Sequence, residues 1–304
     1  MTKILLILLW PAGIATILAI AALLARRAAP AAPAASSPVT PPAAGRASRH
    51  AVPAGGRAAA RASGPRASGL PPAVRSAAKF LLIAIAGAVA VYAVTALLGL
   101  LVVHAGPAID KPILNWTIAH RVHSWAAVMN RLTKIGNTWT TWGAVAAAAV
   151  CLAVTWRRNR WLPPLALAAA VVVDHYTTIY IRHTFERPGP PGSPNGTFPS
   201  GGADRIIIFY GLIAYLLWLE FSRQRRAGIW AGATVAALAF SEGYSRGYLT
   251  LHWFTDVLSG WVYGSLLLLL FIFAVRYTEA SSGGPGSRGT ARGAVREPIA
   301  GRPA

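Results

Sequence analysis

A chain of 304 residues that is 55% hydrophobic and only 12% charged falls far short of the quarter of charged residues usual in a soluble domain, and its repeated long apolar runs exclude a water-soluble globule in favour of an integral membrane protein. The formal net charge of +20 does not mark a nucleic-acid binder. The basic residues lie in a Pro/Ala-rich stretch, in short turns and in the C-terminal tail, without the aromatics that line a nucleic-acid surface. The single cysteine, Cys151, excludes an intrachain disulfide and reads as packing within an apolar run.

The first apolar run, Ile4 to Ala25, is long enough to cross a bilayer, with Pro11 as a kink point. An uncleaved N-terminal anchor over 1–27 is expected, and a cleaved signal peptide is the rival reading. Residues 28–78 are rich in Ala, Pro, Gly and Ser, carry Arg but no acid, and cannot bury a core. They read as a disordered cytoplasmic linker, either a tether or a contact for an anionic membrane surface. Six further apolar runs follow, at about 80–104, 139–156, 161–182, 203–222, 227–245 and 254–275. The mixed, Trp-bearing segment 105–138 reads as containing an interfacial helix. The fold class is therefore all-α: a polytopic membrane helix bundle with a six-span core over 79–276, one N-terminal anchor helix, and a disordered basic tail over 277–304.

The turns set an orientation. The basic turns Arg157 to Arg160 and Ser222 to Arg226 fall on one side, which the positive-inside rule makes cytoplasmic. The linker and tail share that side if all seven runs span. Segment 105–138, the loop 183–202 and the junction near 246–253 then face outward, in a plasma-membrane protein.

Three polar stretches meet at that outer face. The first is "EGYSRGYLTLHWFTDVLSGW", Glu242 to Trp261. His252 and Asp256 are four apart and share a helical face. The carboxylate can fix the imidazole tautomer and leave the other nitrogen free to attack or to accept a proton. Arg246 offers a planar, permanently charged fork suited to phosphate. The structural reading is a helix-capping His–Asp pair with Arg246 snorkelling to headgroups. The second stretch, "FPSGGADR", opens a span. Its backbone N–H groups, with Gly201 and Gly202 allowing close approach and Ser200 donating, can cradle an anion. It can equally be a plain turn with Ser200 as N-cap. The third, "YIRHTFERPGP", brings Arg182 and Arg187, as phosphate ligands or as headgroup anchors. Asp174, His175 and Glu242 also lie in apolar runs, and Glu242 can pair with an arginine of the site.

The opening stretch resembles the third signature of the type-2 phosphatidic acid phosphatase family, which shares its fold with vanadium haloperoxidases: Ser-Arg, five residues, His, three residues, Asp. Ser245, Arg246, His252 and Asp256 match every fixed position. The order of the three stretches and the six-span bundle match as well, over roughly 80–275. The resemblance implies a membrane lipid phosphatase in which His252 is the nucleophile and forms a phosphohistidine, and Asp256 orients it. It further implies that Arg182, Arg187, Ser200, Gly201 and Arg246 bind phosphate. No metal and no cofactor are implied, and the partners are a lipid phosphate substrate and the bilayer.

The match departs from the family in two places. The second signature is Pro-Ser-Gly-His, whose His protonates the leaving oxygen; here Gly202 stands in its place. In the first signature, Lys, six residues, Arg-Pro, two registers fit. Either Arg187-Pro188 is the Arg-Pro with Tyr180 at the Lys position, or Arg182 replaces the Lys and Gly189-Pro190 takes the Arg-Pro position. The second register keeps two cations and is preferred. Loss of a general acid lowers a rate by roughly 10²–10⁴, and a diphosphate, whose leaving group is already a stable anion, needs that acid less than a lipid alkoxide. This tilts the expected substrate toward a polyprenyl diphosphate. His183, Glu186 and Asp204 are the nearby candidates for a substitute acid. The rival function is a catalytically silent relative that binds or translocates a phospholipid or polyprenyl phosphate.

Overall fold

The computed structural model describes residues 72–156, 159–194 and 196–282. The expected anchor, the linker up to residue 71 and the tail beyond 282 lie outside the described residues. Eight helices and no strand are present among those described. They are α1 (Pro72–His104), α2 (Gly106–Ala119), α3 (Ala126–Leu132), α4 (Thr138–Thr155), α5 (Leu162–Phe185), α6 (Gly201–Phe221), α7 (Arg225–Tyr248) and α8 (Phe254–Ser282).

By length and composition, α1, α4, α5, α6 and α8 are each able to cross a bilayer. The expected sixth span, 227–245, falls within α7. That helix has the length but is not among the five: its middle is built of Ala and Gly more than of strongly apolar side chains, and Arg225, Arg226, Glu242 and Arg246 lie toward its two ends. Segment 105–138 forms the short helices α2 and α3 with a 3-10 turn at His123–Trp125 between them.

α8 is the hub of the bundle. Ala84, Ala88 and Val91, at helical spacing on α1, are buried in the same core as Leu267, Leu270 and Phe271 of α8. Small residues set the approach of α6. A Cβ at Gly264 would lie 2.9 Å from the Asp204 carbonyl oxygen, and one at Gly260 2.8 Å from that of Ser200. Backbone contact of this kind is how apolar helices pack when lipid offers no hydrophobic drive. The outward face of α1 is apolar too, with Leu82 68% exposed, as a lipid-facing surface requires. Polar side chains within the spans close onto their own helix: the Thr95 hydroxyl donates to the Val91 carbonyl at 2.7 Å and Thr278 to Ala274 at 2.8 Å.

α6 contains a π turn, Ile206–Tyr210. The wider turn puts Ile206, Ile208 and Phe209 all in the core, all fully buried, which a 3.6-residue period does not do for such close neighbours. One turn ahead of it lies the polar start of α6. The ends of α4, α6 and α8 meet at the opposite pole, in a cavity bordered by Thr155, Phe221 and Glu279.

Candidate active site

His252 sits in the short connection between α7 and α8, largely buried. Its Nδ1 lies 3.0 Å from the Thr197 carbonyl oxygen. A carbonyl only accepts, so Nδ1 carries the proton and Nε2 keeps its lone pair. Nε2 lies 3.2 Å from Arg246 Nη1, and a guanidinium only donates, which fits the same tautomer. Burial, and then the positive charges of Arg246 and Arg182, hold the imidazole well below its usual pKa. His252 is therefore neutral at pH 7, with Nε2 as the available nucleophilic atom.

Arg246 ends α7 and is gripped from one turn below. Its Nε donates to Glu242 Oε1 at 2.7 Å, and its Nη2 reaches Asn137 Oδ1 at 3.4 Å. Glu242, fully buried, also accepts the Gly136 backbone N–H at 3.2 Å on Oε2. The anticipated pairing of Glu242 with a site arginine is present. Gly136 has to be glycine for this approach, since a Cβ there would lie 2.5 Å from Glu242 Oε1 and 2.7 Å from the Gly202 carbonyl.

The start of α6 faces three guanidinium groups. A Cβ on Gly201 would lie 2.8 Å from Arg182 Nη2 and 3.0 Å from Arg205 Nη2, and one on Gly202 would overlap the Arg246 guanidinium. Two glycines thus let the first N–H groups of a helix, free of intrahelical partners by geometry, lie against three cations. Ser200 is the N-cap residue by backbone, yet its hydroxyl makes no capping bond. The Ser200 Oγ is fully buried and has no hydrogen-bond partner among the described residues. Arg205 is backed by Asp174, at 3.6 Å from its Nε. Asp204 is fully buried, within reach of the positive charges of Arg205 and Arg182.

Arg187 and Asp256 do something different from what the sequence suggests. Arg187 is buried and paired with two carboxylates: Nη2 lies 2.5 Å from Asp110 Oδ2, and Nη1 donates to Asp256 Oδ1. It also donates to Thr255 Oγ1 at 3.0 Å. The two carboxylates answer the charge of this arginine. Asp256 Oδ2 stands 3.9 Å from His252 Nδ1, beyond hydrogen-bond range, and instead accepts the Trp253 backbone N–H at 3.2 Å. That is the reach-back of an acidic residue in the first turn of a helix. The imidazole is oriented by the Thr197 carbonyl, with Asp256 behind it.

Of the expected residues, then, Arg182, Gly201, Arg246 and His252 belong to one cluster with Ser200 at its edge. Arg187 and Asp256 form a second layer with Asp110. His183 and Glu186 are exposed at the end of α5. Sequence reading missed Arg205, Asn137, Asp110 and the Thr197 carbonyl. Arg205 had a signal, since it follows Gly201 by one helical turn.

One pole of an all-helical bundle thus brings a neutral histidine against Arg246, with Arg182 and Arg205 beside Gly201. Residues 172–279 match the model of the PAP2 superfamily. Among solved structures, the chain is similar to one described as the first transmembrane PAP2 type phosphatidylglycerolphosphate phosphatase, from Bacillus subtilis. The identity is 24% and the TM-score 0.55, over 63% of this chain and 96% of that one, a likeness that speaks for the fold. No curated protein matches.

Proposed function

We propose that this chain is a membrane lipid phosphatase or phosphotransferase that removes a phosphate from a lipid phosphate or a polyprenyl diphosphate through a phosphohistidine on His252. The observation that carries this reading is the unprotonated Nε2 of a neutral His252, 3.2 Å from Arg246 Nη1, with Arg182 and Arg205 close by at Gly201. Guanidinium groups and helix N–H donors stabilise the equatorial oxygens of a transferring phosphoryl group, and the histidine supplies the attacking pair.

A lipid substrate is supported by an apolar groove of about 250 Å³ that begins at His252 and runs between α2, α7 and α8. Ile113, Trp116, Phe240, Tyr244 and Trp261 line it, a surface suited to a hydrocarbon chain. We assign the site to the outer membrane face on the charge of the turns, with α7 as a sixth crossing beside α6 and α8.

A second reading, a silent relative that only binds a lipid phosphate, is favoured by Gly202, which offers no proton donor. The deciding experiment incubates the full chain in detergent with phosphatidate and with a polyprenyl diphosphate. Phosphate release together with an acid-labile, base-stable phosphoryl-enzyme that His252→Ala lacks is the expected result. Binding of both lipids without release supports the silent reading.

A further inference from the structure

Gly202 and Arg246 occupy each other's space. A side chain at 202 has to begin where the Arg246 guanidinium now stands. The guanidinium is fixed there by Glu242 at 2.7 Å, which is itself anchored on the Gly136 N–H at 3.2 Å. Arg246 also reaches His252 Nε2, at 3.2 Å. We infer that Glu242 is a positioning residue that seats Arg246 over Gly202, so that the leaving group is met by a fixed charge instead of a proton donor, and the site selects phosphoanhydrides over alkyl phosphates. This rests on the proposed phosphatase reading and names the substrate class of that same site.

The chemistry follows from what the cluster contains. The cations at Gly201, Gly202 and His252 are Arg182, Arg205 and Arg246. An arginine holds its proton throughout the accessible pH range, so it stabilises charge and transfers no proton. With a lipid diphosphate, neutral Nε2 attacks the terminal phosphorus. The N–P bond forms, the bridging P–O bond breaks, and its electron pair stays on the departing lipid monophosphate. That dianion has a conjugate acid of pKa about 6 and leaves without a proton. Water then attacks the phosphohistidine. The N–P bond breaks, its electron pair returns to Nε2, and dihydrogen phosphate takes both water protons, so charge and protons balance. With a lipid monophosphate the departing group is an alkoxide, whose conjugate acid is about as weak as water. It needs a proton that three guanidinium groups do not give, and Asp204, fully buried, serves as counter-charge to Arg205 and Arg182.

The test uses the full chain in detergent with geranylgeranyl diphosphate and geranylgeranyl monophosphate. The expected result is phosphate release from the diphosphate at least about 100-fold faster than from the monophosphate, the scale of one missing general acid, so that monophosphate accumulates. Glu242→Gln keeps the size and removes the charge. It should lower kcat on the diphosphate about tenfold, the worth of one charge-assisted hydrogen bond, with little change in KM, and so narrow the ratio between the two lipids. Gly202→Ala, which pushes Arg246 off its seat without touching Glu242, should narrow the ratio the same way. A readout independent of turnover is the His252 titration by carbon-13 NMR. Loosening Arg246 in either variant removes a positive neighbour and should raise the imidazole pKa. A parent ratio near one, a ratio that neither variant moves, or an unmoved His252 titration in both folded variants overturns the inference. Absence of release from both lipids overturns the phosphatase reading and the leaving-group selection with it, while the titration still reports whether Glu242 seats Arg246.

Discussion

Arg187 and Asp110, 77 residues apart, form a buried ion pair at 2.5 Å that ties the loop after α5 to α2. Asp256 closes the same guanidinium from the start of α8. Asp110 also accepts from the Thr255 backbone N–H at 3.0 Å and the Thr255 hydroxyl at 2.7 Å. The network lies directly behind His252, so the residues that carry the imidazole are held by charge pairs rather than by hydrophobic packing alone.

Arg187→Met should therefore act first on stability. Removing one partner of a buried ion pair strands the others, at a cost of about 3–5 kcal/mol. Arg182→Met should instead weaken phosphate binding. A thermal melt in detergent beside a phosphate-release assay separates the two. Equal losses of activity with unchanged melts in both variants would contradict the two-layer assignment. Asp256→Asn should lower the melting temperature as well as the rate, since Asp256 pairs with Arg187 and stands 3.9 Å from the imidazole.

The buried imidazole sets a pH dependence. His252 has its pKa held well below the ordinary value near 6.5. Below about pH 6.5 the unfolded chain takes a proton that the folded one refuses, so this contribution to stability falls as pH drops through that window and is complete above it. The acid limb of kcat/KM, which reports the free enzyme, should lie well under 6.5. The limb of kcat should lie higher, because a bound phosphate anion favours the protonated ring. A kcat/KM limb at or above 6.5 would show a solvated His252.

Gly136→Ala tests the clamp from its far side. The added methyl meets Glu242 Oε1 and the Gly202 carbonyl, and overpacking of this kind costs about 1–3 kcal/mol. Turnover should fall more than stability, because both atoms it strikes belong to the site. A variant with parent-like kcat on a lipid diphosphate would mean that the turn before α4 does not shape the centre.

The orientation is open to a labelling test. In a Cys151→Ser background, a cysteine at the exposed Pro191 should react with an impermeant reagent added to intact cells, and one at Arg225 only after lysis. The reverse pattern would move the site to the cytoplasmic face.

Much of this architecture is written in side-chain pattern. Apolar runs mark the spans, and the spacing of Ser245, Arg246, His252 and Asp256 marks the chemistry, because both depend on residues close in sequence. Other parts are not encoded that way. The acceptor that fixes the His252 tautomer is the Thr197 backbone carbonyl, and any residue type supplies a carbonyl. Asn137 and Asp110 come from short helices and turns whose approach to the site depends on packing against α7 and α8. Arg187 is a related case: near a proposed phosphate site an arginine reads as a ligand, and its pairing with Asp110 and Asp256 depends on elements distant in sequence. The 227–245 run reads like its neighbours because its alanines surround Glu242, whose partner Arg246 stands just past its end.

The network around Arg187 also constrains biogenesis. Asp110 emerges from the ribosome long before Arg187, and Asp256 later still. Until Arg187 follows α5 the early carboxylate has only water to answer it, so it must wait at the bilayer surface rather than inside. By bringing Asp256 to Arg187 and Thr255 to Asp110, α8 is the latch that completes the network, and a chain stopped short of Asp256 should remain an open, protease-sensitive set of helices for quality control to remove.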